Sequence, residues 1–159
     1  NEADSLITQT AVPSVVVNQV SATSLVPTAQ DSIGNPKASP TVLAEGDVFI
    51  LTANFTDTVT VTGTPQIPVR IGNNTVNAVY DGGSGGTAIE FRYIVANGDM
   101  DLDGIGLPSN AIDLNGGSMV DSSGNVVSLE FSVPTTSGFK VDAIPPTNAP
   151  TVDLSLIHI

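Results

Sequence analysis

The sequence predicts an all-β fold, an antiparallel sandwich of about 7–8 short strands. Apolar residues recur at period two in several runs, as strands with one buried face require. Gly, Pro and Asn turns separate those runs at intervals of about 8–12 residues, the spacing of a sandwich rather than of βαβ units. No stretch carries helical periodicity of useful length.

Residues 1–13 read as a leader or linker with a small apolar patch at Leu6 and Ile7. Ser14 to Ser24, with Val15, Val16, Val17 and Val20 among small polar residues, reads as a first strand. Leu25 to Ala44 carries Pro27, Gly34, Asn35, Pro36 and Pro40 and reads as one long loop. Val48 to Thr56 alternates cleanly, with Phe49, Leu51, Ala53 and Phe55 on the core face. A short strand follows at Val59 to Val61.

Gln66 to Ile71 alternates again with Ile67, Val69 and Ile71 inward, and Pro68 assigns it to an edge or bulge because proline has no ladder donor. Gly72-Asn73-Asn74 turns it into Thr75 to Tyr80, with Val76, Ala78 and Tyr80 inward. Asp81 to Gly86 holds four glycines in six residues. A phosphate cradle would need a helix start behind that loop, whereas another strand follows at Thr87 to Val95, with Ile89, Phe91, Tyr93 and Val95 on one face. Short strands at Ala111 to Leu114 and Ser118 to Val120 and a longer one at Val126 to Val133 complete the set. The domain is expected to span 14–140, with 141–159 as a Pro-rich exit linker and tail. The turn and strand chemistry matches an immunoglobulin-like sandwich, without the Cys and Trp of antibody domains, which the chain lacks.

The chain has 159 residues, enough for one domain with a real core. Sixteen acidic residues against four basic ones give a net charge of -12, which repels nucleic acid and anionic membrane surfaces and favours cations. Only 13% of residues are charged while 40% are hydrophobic, a folded domain rather than an acidic disordered tail. No apolar run approaches the roughly 20 residues of a membrane helix, so no direct membrane insertion is expected. Without cysteine there are neither disulfides nor thiolate metal sites.

The most informative stretch is Asn97 to Gly104, with Asp99, Asp101 and Asp103 at alternate positions and Gly104 closing the turn. It matches the first six residues of the calcium-loop signature. Ca2+ takes six to eight oxygens, and alternate carboxylates of a tight loop can converge on one point. The carbonyl of Ile105 and the side chains of Asn110 or Asp113 are candidates to complete the shell. Position 12 of the loop is Asn110 where an EF-hand carries Glu, and no helices flank it. A water-exposed acidic turn without an ion is the alternative.

The chain resembles the bacterial immunoglobulin-like repeats that occur in tandem in very large secreted or surface-anchored adhesins, including those with RTX-type export signals. The resemblance rests on pieces in order: Gly46-Asp47 before the Phe49 strand, Asp57 to Pro65, the Gly-rich turn after Tyr80, Phe91 to Ile105, Asn110 to Asn125, and Val141-Asp142 followed by Pro145-Pro146-Thr147. It covers Ser14 to Thr147. It implies a non-catalytic spacer at the cell surface, a monomer as an isolated segment, with neighbouring repeats as partners and any host or surface ligand held by other domains. It also implies ion ligation by Asp99, Asp101 and Asp103. The long Leu25 to Ala44 segment departs from the compact repeat, as does Asp57, where related repeats often have Glu.

Two other classes compete. For an enzyme, a Ser-His-Asp set has only His158 to draw on, in the tail; Glu45, Glu90 and Glu130 are candidates for paired-carboxylate hydrolysis, but Glu90 and Glu130 fall on outward positions. A carbohydrate- or ligand-binding module acting through calcium, or an accessory domain of a secreted enzyme, is the other reading. Few aromatics are free to stack on sugars, since alternation places most of the five Phe and two Tyr in the core. The sequons at Asn54 and Asn73 read as polar strand and turn positions.

Overall fold

The computed structural model describes residues 18–147. They form a β-sandwich without helix, antiparallel in its large layer as expected but mixed in its small one. In chain order its strands are β1 (Ala22–Gln30), β2 (Thr41–Leu43), β3 (Val48–Thr62), β4 (Gln66–Ile71), β5 (Asn74–Gly82), β6 (Gly86–Ile94), β7 (Met100–Asp101), β8 (Ser118–Val120) and β9 (Phe139–Asp142).

One layer has the order β1-β3-β6-β5-β4, with β8 attached to the far end of β3; the other has the order β2-β9-β7, where β2 and β9 pair in parallel. β3 organises both. Its alternation points Phe49, Leu51, Ala53 and Phe55 into the core, each at most 5% exposed. Its first half pairs with β1 and β6, an irregularity follows between Asn54 and Val59, and Thr60 to Thr62 then pairs with β8. Such a bulge increases local twist, so one strand can serve two pairings. Val59 to Val61, expected as a separate strand, is the distal part of β3. The ring of Phe49 meets that of Phe139 edge-on at 5.3 Å, which joins the two layers through their aromatic cores.

The expected inward residues of β4, Ile67, Val69 and Ile71, are buried, as are Ala78 of β5 and Ile89 and Phe91 of β6. Tyr93 is half-buried, with consequences described below. β4 is indeed an edge strand and carries Pro68.

The structure corrects the reading of the first third of the chain. Leu25 to Gln30 is not loop but most of β1, and Thr41 to Leu43 is β2. Polar Thr23, Ser24, Thr28 and Gln30 and the proline at position 27 hide a strand whose core contribution is only Leu25 and Ala29. Pro27 is tolerated because β1 is the other edge of the large layer. Of the strand expected at Ser14 to Ser24, only Ala22 to Ser24 is strand; positions 14–17 lie outside the described residues, as do the leader at 1–13 and the tail at 148–159.

Ala111 to Leu114 and Val126 to Val133 form single bridges rather than ladders, at Gln66–Asp113, Ala111–Glu130, Val120–Val126 and Ser21–Ser128. Val127 and Phe131 are still buried, whereas Val133 is 53% exposed. The exit linker expected from 141 onward begins later. Val141 and Asp142 complete β9, Val141 is fully buried, and Ala143 is 6% exposed.

The two ends of the described chain lie at opposite poles. Asn18 to Ser21 sits beside the bulge of β3, beyond the end of its pairing with β1, where the Thr56 amide donates to Ser21 O at 3.0 Å and the Ser128 amide to Val20 O at 2.8 Å. Gln30 pairs with Val48 at the other end, where Val95 N donates to Asp47 O at 2.9 Å and the chain leaves through Ala143 to Pro146 beside Ala44 and Glu45. Val48 and Phe55 are separated by about 23 Å at ~3.3 Å per strand residue, which sets the distance between the poles. β1, β2 and β9 all run from the incoming pole to the outgoing one, since β1 is antiparallel to β3 and β2 is parallel to β9.

Candidate functional site

The aspartate loop lies at the outgoing pole, between β6 and the last strand. Each of its carboxylates has a separate set of partners. Asp99 Oδ2 accepts from the Tyr93 hydroxyl at 2.6 Å and from the Ala96 amide at 2.9 Å. Its backbone carbonyl accepts from Ala143 N at 2.8 Å, and Gly98 N donates to Ala143 O at 2.9 Å. Asp99 therefore ties the outgoing segment to β6 of the opposite layer. Burial is the first cause that pushes the Tyr93 phenol well above its ordinary value, and the hydrogen bond to the Asp99 carboxylate and its charge push the same way.

Asp101 is 7% exposed and belongs to β7. Its Oδ2 accepts from Gly72 N at 2.7 Å; its Oδ1 accepts from Gly104 N at 2.7 Å and Asp103 N at 3.1 Å. The carboxylate thus holds its own turn and the β4–β5 hairpin together. Gly104 has φ +107°, and a Cβ there would fall 2.4 Å from Ser137 Cα, so the glycine is required by close backbone approach as well as by the turn. Asp103 is exposed. With Asp101, Arg70, Gly72, Asn73, Gly104 and Gly106 it lines an open cleft of about 420 Å³.

The remaining candidate ligands are elsewhere or engaged. The Ile105 carbonyl accepts from the Thr136 hydroxyl, and the Ile105 amide donates to Phe139 O at 2.8 Å. Asn110 is exposed, and its backbone carbonyl accepts from Phe131 N at 2.7 Å. Asp113 takes Gln66 Nε2 and Asn115 N on its two oxygens, both at 2.9 Å, and the Gln66 side chain is the first cause that holds its carboxyl below the ordinary value. Gln66 begins β4 and Gly72 follows its end. Asp113 and Asp101 are thus separated by about 20 Å along β4 at ~3.3 Å per residue, too far to share an ion.

Among the described residues no three acidic or histidine side chains converge on a point that would hold a metal. As they stand, Asp99, Asp101 and Asp103 do not converge as a calcium shell: Asp101 gives both oxygens to backbone donors, Asp99 gives Oδ2 to Tyr93 and Ala96, and Asp103 is exposed. The carboxylates considered for hydrolysis are also dispersed. Glu45 Oε2 accepts from Asn97 Nδ2 at 2.8 Å, Glu90 lies 3.5 Å from Arg92, and exposed Glu130 bridges to Ala111 through its backbone. His158 lies outside the described residues. Of the sequons, Asn54 gives Nδ2 to Ser24 Oγ at 3.1 Å, and Asn73 is exposed at the β4–β5 hairpin.

Sequence reasoning missed the partners that give the loop its role. Alternation alone places Tyr93 in the core; an inward tyrosine next to an acidic turn needs a partner for its hydroxyl, and that is the available signal. Lys37 was also missed. Its Nζ lies 2.6 Å from Asp47 Oδ2 and 2.8 Å from Val42 O, which pins the segment between β1 and β2 to the sandwich. Asp47 is 6% exposed and takes Ala44 N at 2.9 Å as well. No family model, curated protein or solved structure matches the chain.

Proposed function

We propose that this chain is a non-catalytic spacer domain of an extracellular, repeat-built adhesin, in line with the family resemblance of its sequence. The observation that carries the reading is the placement of the two described ends at opposite poles, with β1, β2 and β9 all running from one to the other. Copies joined through such ends extend along one line and gain length with each copy. The net charge of -12 keeps neighbouring strings apart and soluble. Proline in each edge strand of the large layer, Pro27 in β1 and Pro68 in β4, removes ladder donors and discourages edge-to-edge pairing between crowded copies.

The test is small-angle scattering from two copies of the chain joined in tandem. The expected maximum dimension is close to twice that of a single copy. A compact side-by-side pair, or edge-paired aggregates at working concentrations, overturns the spacer reading.

A further inference from the structure

We propose that the Ala143–Asp99–Tyr93 connection is a force-bearing clamp, which makes this domain mechanically strong along its pole-to-pole axis and weak across it. The inference builds on the spacer reading only for its biological use. Its physical basis is the direction in which each ladder is loaded.

Tension applied through the two described ends draws β1 back toward the incoming pole and β9 toward the outgoing pole, each along its own axis. β1 is held to β3 in register from Ser24–Asn54 to Gln30–Val48. β9 is held on one side by β2, through Thr41–Phe139, Val42–Lys140 and Leu43–Val141, and on the other by β7, through Met100–Asp142 and Asp101–Val141. In this geometry the hydrogen bonds of a ladder lie across the pull and share the load, so they must break together. A pull across the strands loads them one at a time. Forced unfolding is governed by the unfolding rate, so the shared load shows as a higher rupture force.

The small layer is the weaker part of this path, because its ladders are short. The Asp99 connection bypasses them. Ala143, the last buried residue before the outgoing prolines, exchanges two backbone hydrogen bonds with the loop, Ala143 N to Asp99 O and Gly98 N to Ala143 O. The side chain of the same Asp99 bonds the Tyr93 hydroxyl. Tyr93 lies in β6 opposite Phe49 of β3, and Phe49 lies opposite Ala29 of β1. A continuous bonded line thus runs from the outgoing segment into the large layer and back to β1. A hydrogen bond to an ionised carboxylate, shielded on the half-buried Tyr93 side, is the kind that contributes most.

Single-molecule pulling of the full chain measures this directly. The chain has no cysteine, so handles can be placed at will. One geometry pulls through the two chain ends. The other pulls through Thr28→Cys in β1 and Asn77→Cys in β5, both exposed and on opposite sides of the large layer. The expected result is a rupture force along the poles well above that across the sheet. Tyr93→Phe is expected to raise the end-to-end unfolding rate by about tenfold, the loss of one charge-assisted hydrogen bond, while leaving the transverse rate within about twofold. Tyr80→Phe is the control, since the Tyr80 hydroxyl accepts only from Ser84 N in the β5–β6 hairpin, off the load path. It should leave the end-to-end rate unchanged.

Equal rupture forces along both axes overturn the proposal. So does a Tyr93→Phe effect of the same size in both directions, which marks a merely structural hydroxyl, or no effect in either. If Tyr93→Phe does not fold, Asp99→Asn, which keeps one acceptor oxygen and loses the charge, is pulled along both axes with the same expectation. The pulling result is independent of the scattering result. Direction-dependent strength with a compact tandem pair keeps the clamp and removes the spacer reading; an extended pair with equal forces does the reverse.

Discussion

Asp101→Ala separates two explanations of the acidic loop, because a cap and an ion ligand fail under different conditions. The substitution removes the acceptor for three backbone donors, Gly72 N, Asp103 N and Gly104 N. A hydrogen bond to a charged group contributes about 1.5–3 kcal/mol net, and a donor left without a partner loses more if water cannot reach it. Here Asp101 itself is 7% exposed, but Gly72 and Asp103 border the open cleft, so water replaces part of what is lost. About 1–1.5 kcal/mol per donor is a fair discount, which sums to about 4 kcal/mol. At about 3–4 °C per kcal/mol for a domain of this size, the melting midpoint should fall by about 12–16 °C.

The assay is thermal unfolding followed by circular dichroism, in excess chelator and again in millimolar calcium. The expected loss is the same in both, because the donors belong to the protein. Asp101→Asn, which keeps one oxygen for the turn and turns an NH2 toward Gly72 N, should lose about half as much. A variant that melts within about 2 °C of the parent in chelator refutes the capping account. A loss that appears only in calcium assigns the carboxylate to the ion instead, by mass action on the folded state.

Gly104→Ala should lose about 3 kcal/mol or more, since it combines positive φ with a Cβ driven into the backbone of Ser137; chemical denaturation measures it. Lys37→Met should lose about 2 kcal/mol in the same assay, because it strands the buried Asp47 carboxylate, whereas Arg92→Met, whose partner Asp81 is exposed to water, should stay within about 1 kcal/mol. The Asp31, Asp113 and Asp121 carboxyls are all held below the ordinary 3.8, first by the Asn35 side chain, the Gln66 side chain and the Asn125 amide respectively. Their contribution is complete above the ordinary value and is lost as pH falls from there through the lower folded values. The midpoint should therefore be flat above about pH 5 and drop below about pH 4, with a shallower drop when all three are changed to Asn. The Tyr93 phenol, raised by burial and then by Asp99, should show its phenolate absorbance only as the protein unfolds in alkali, and at lower pH in Asp99→Ala.

Where one face of a strand is buried and the other wet, the sequence displays it. Val48 to Thr56, Gln66 to Ile71 and Thr87 to Val95 all have apolar residues at every second position and all are strand; the last two lie within a residue of the expected limits, while the first runs on to Thr62. β1 was illegible because an edge strand with two small core residues and a proline has the composition of a loop. β9 was illegible for a different reason: Val141 is buried by β2 and β7, both assembled from distant sequence, so nothing in Phe139 to Asp142 announces a partner. Alternation within Val126 to Val133 was real, yet without a continuous neighbour to pair with it gave buried side chains and single bridges rather than a ladder. In the loop, the spacing of Asp99, Asp101 and Asp103 was plain. What it could not show was that Tyr93, Gly72 and Gly104 reach those oxygens first.

That outcome bears on how the acidity of the whole chain is understood. With four basic residues for sixteen acidic ones, side-chain cations cannot neutralise the surplus. Backbone amides meet much of it locally. Asp31-Ser32-Ile33-Gly34-Asn35 and Asp121-Ser122-Ser123-Gly124-Asn125 form matching turns, in which the Asp Oδ1 accepts the amides two and four residues on and the Asp amide bonds the Asn carbonyl. Asp47, Asp99, Asp101 and Asp113 do the same work with other amides. A helical protein satisfies most amides within its helices, but an all-β chain with many tight turns leaves donors at every corner, and an aspartate is a short side chain whose charged oxygens can accept two or more of them. A high aspartate content in such a fold is then first a consequence of its turns. A metal site needs several carboxylate oxygens to spare at one point, and in this loop Asp101 has both of its oxygens on backbone amides and Asp99 has Oδ2 on Tyr93 and Ala96.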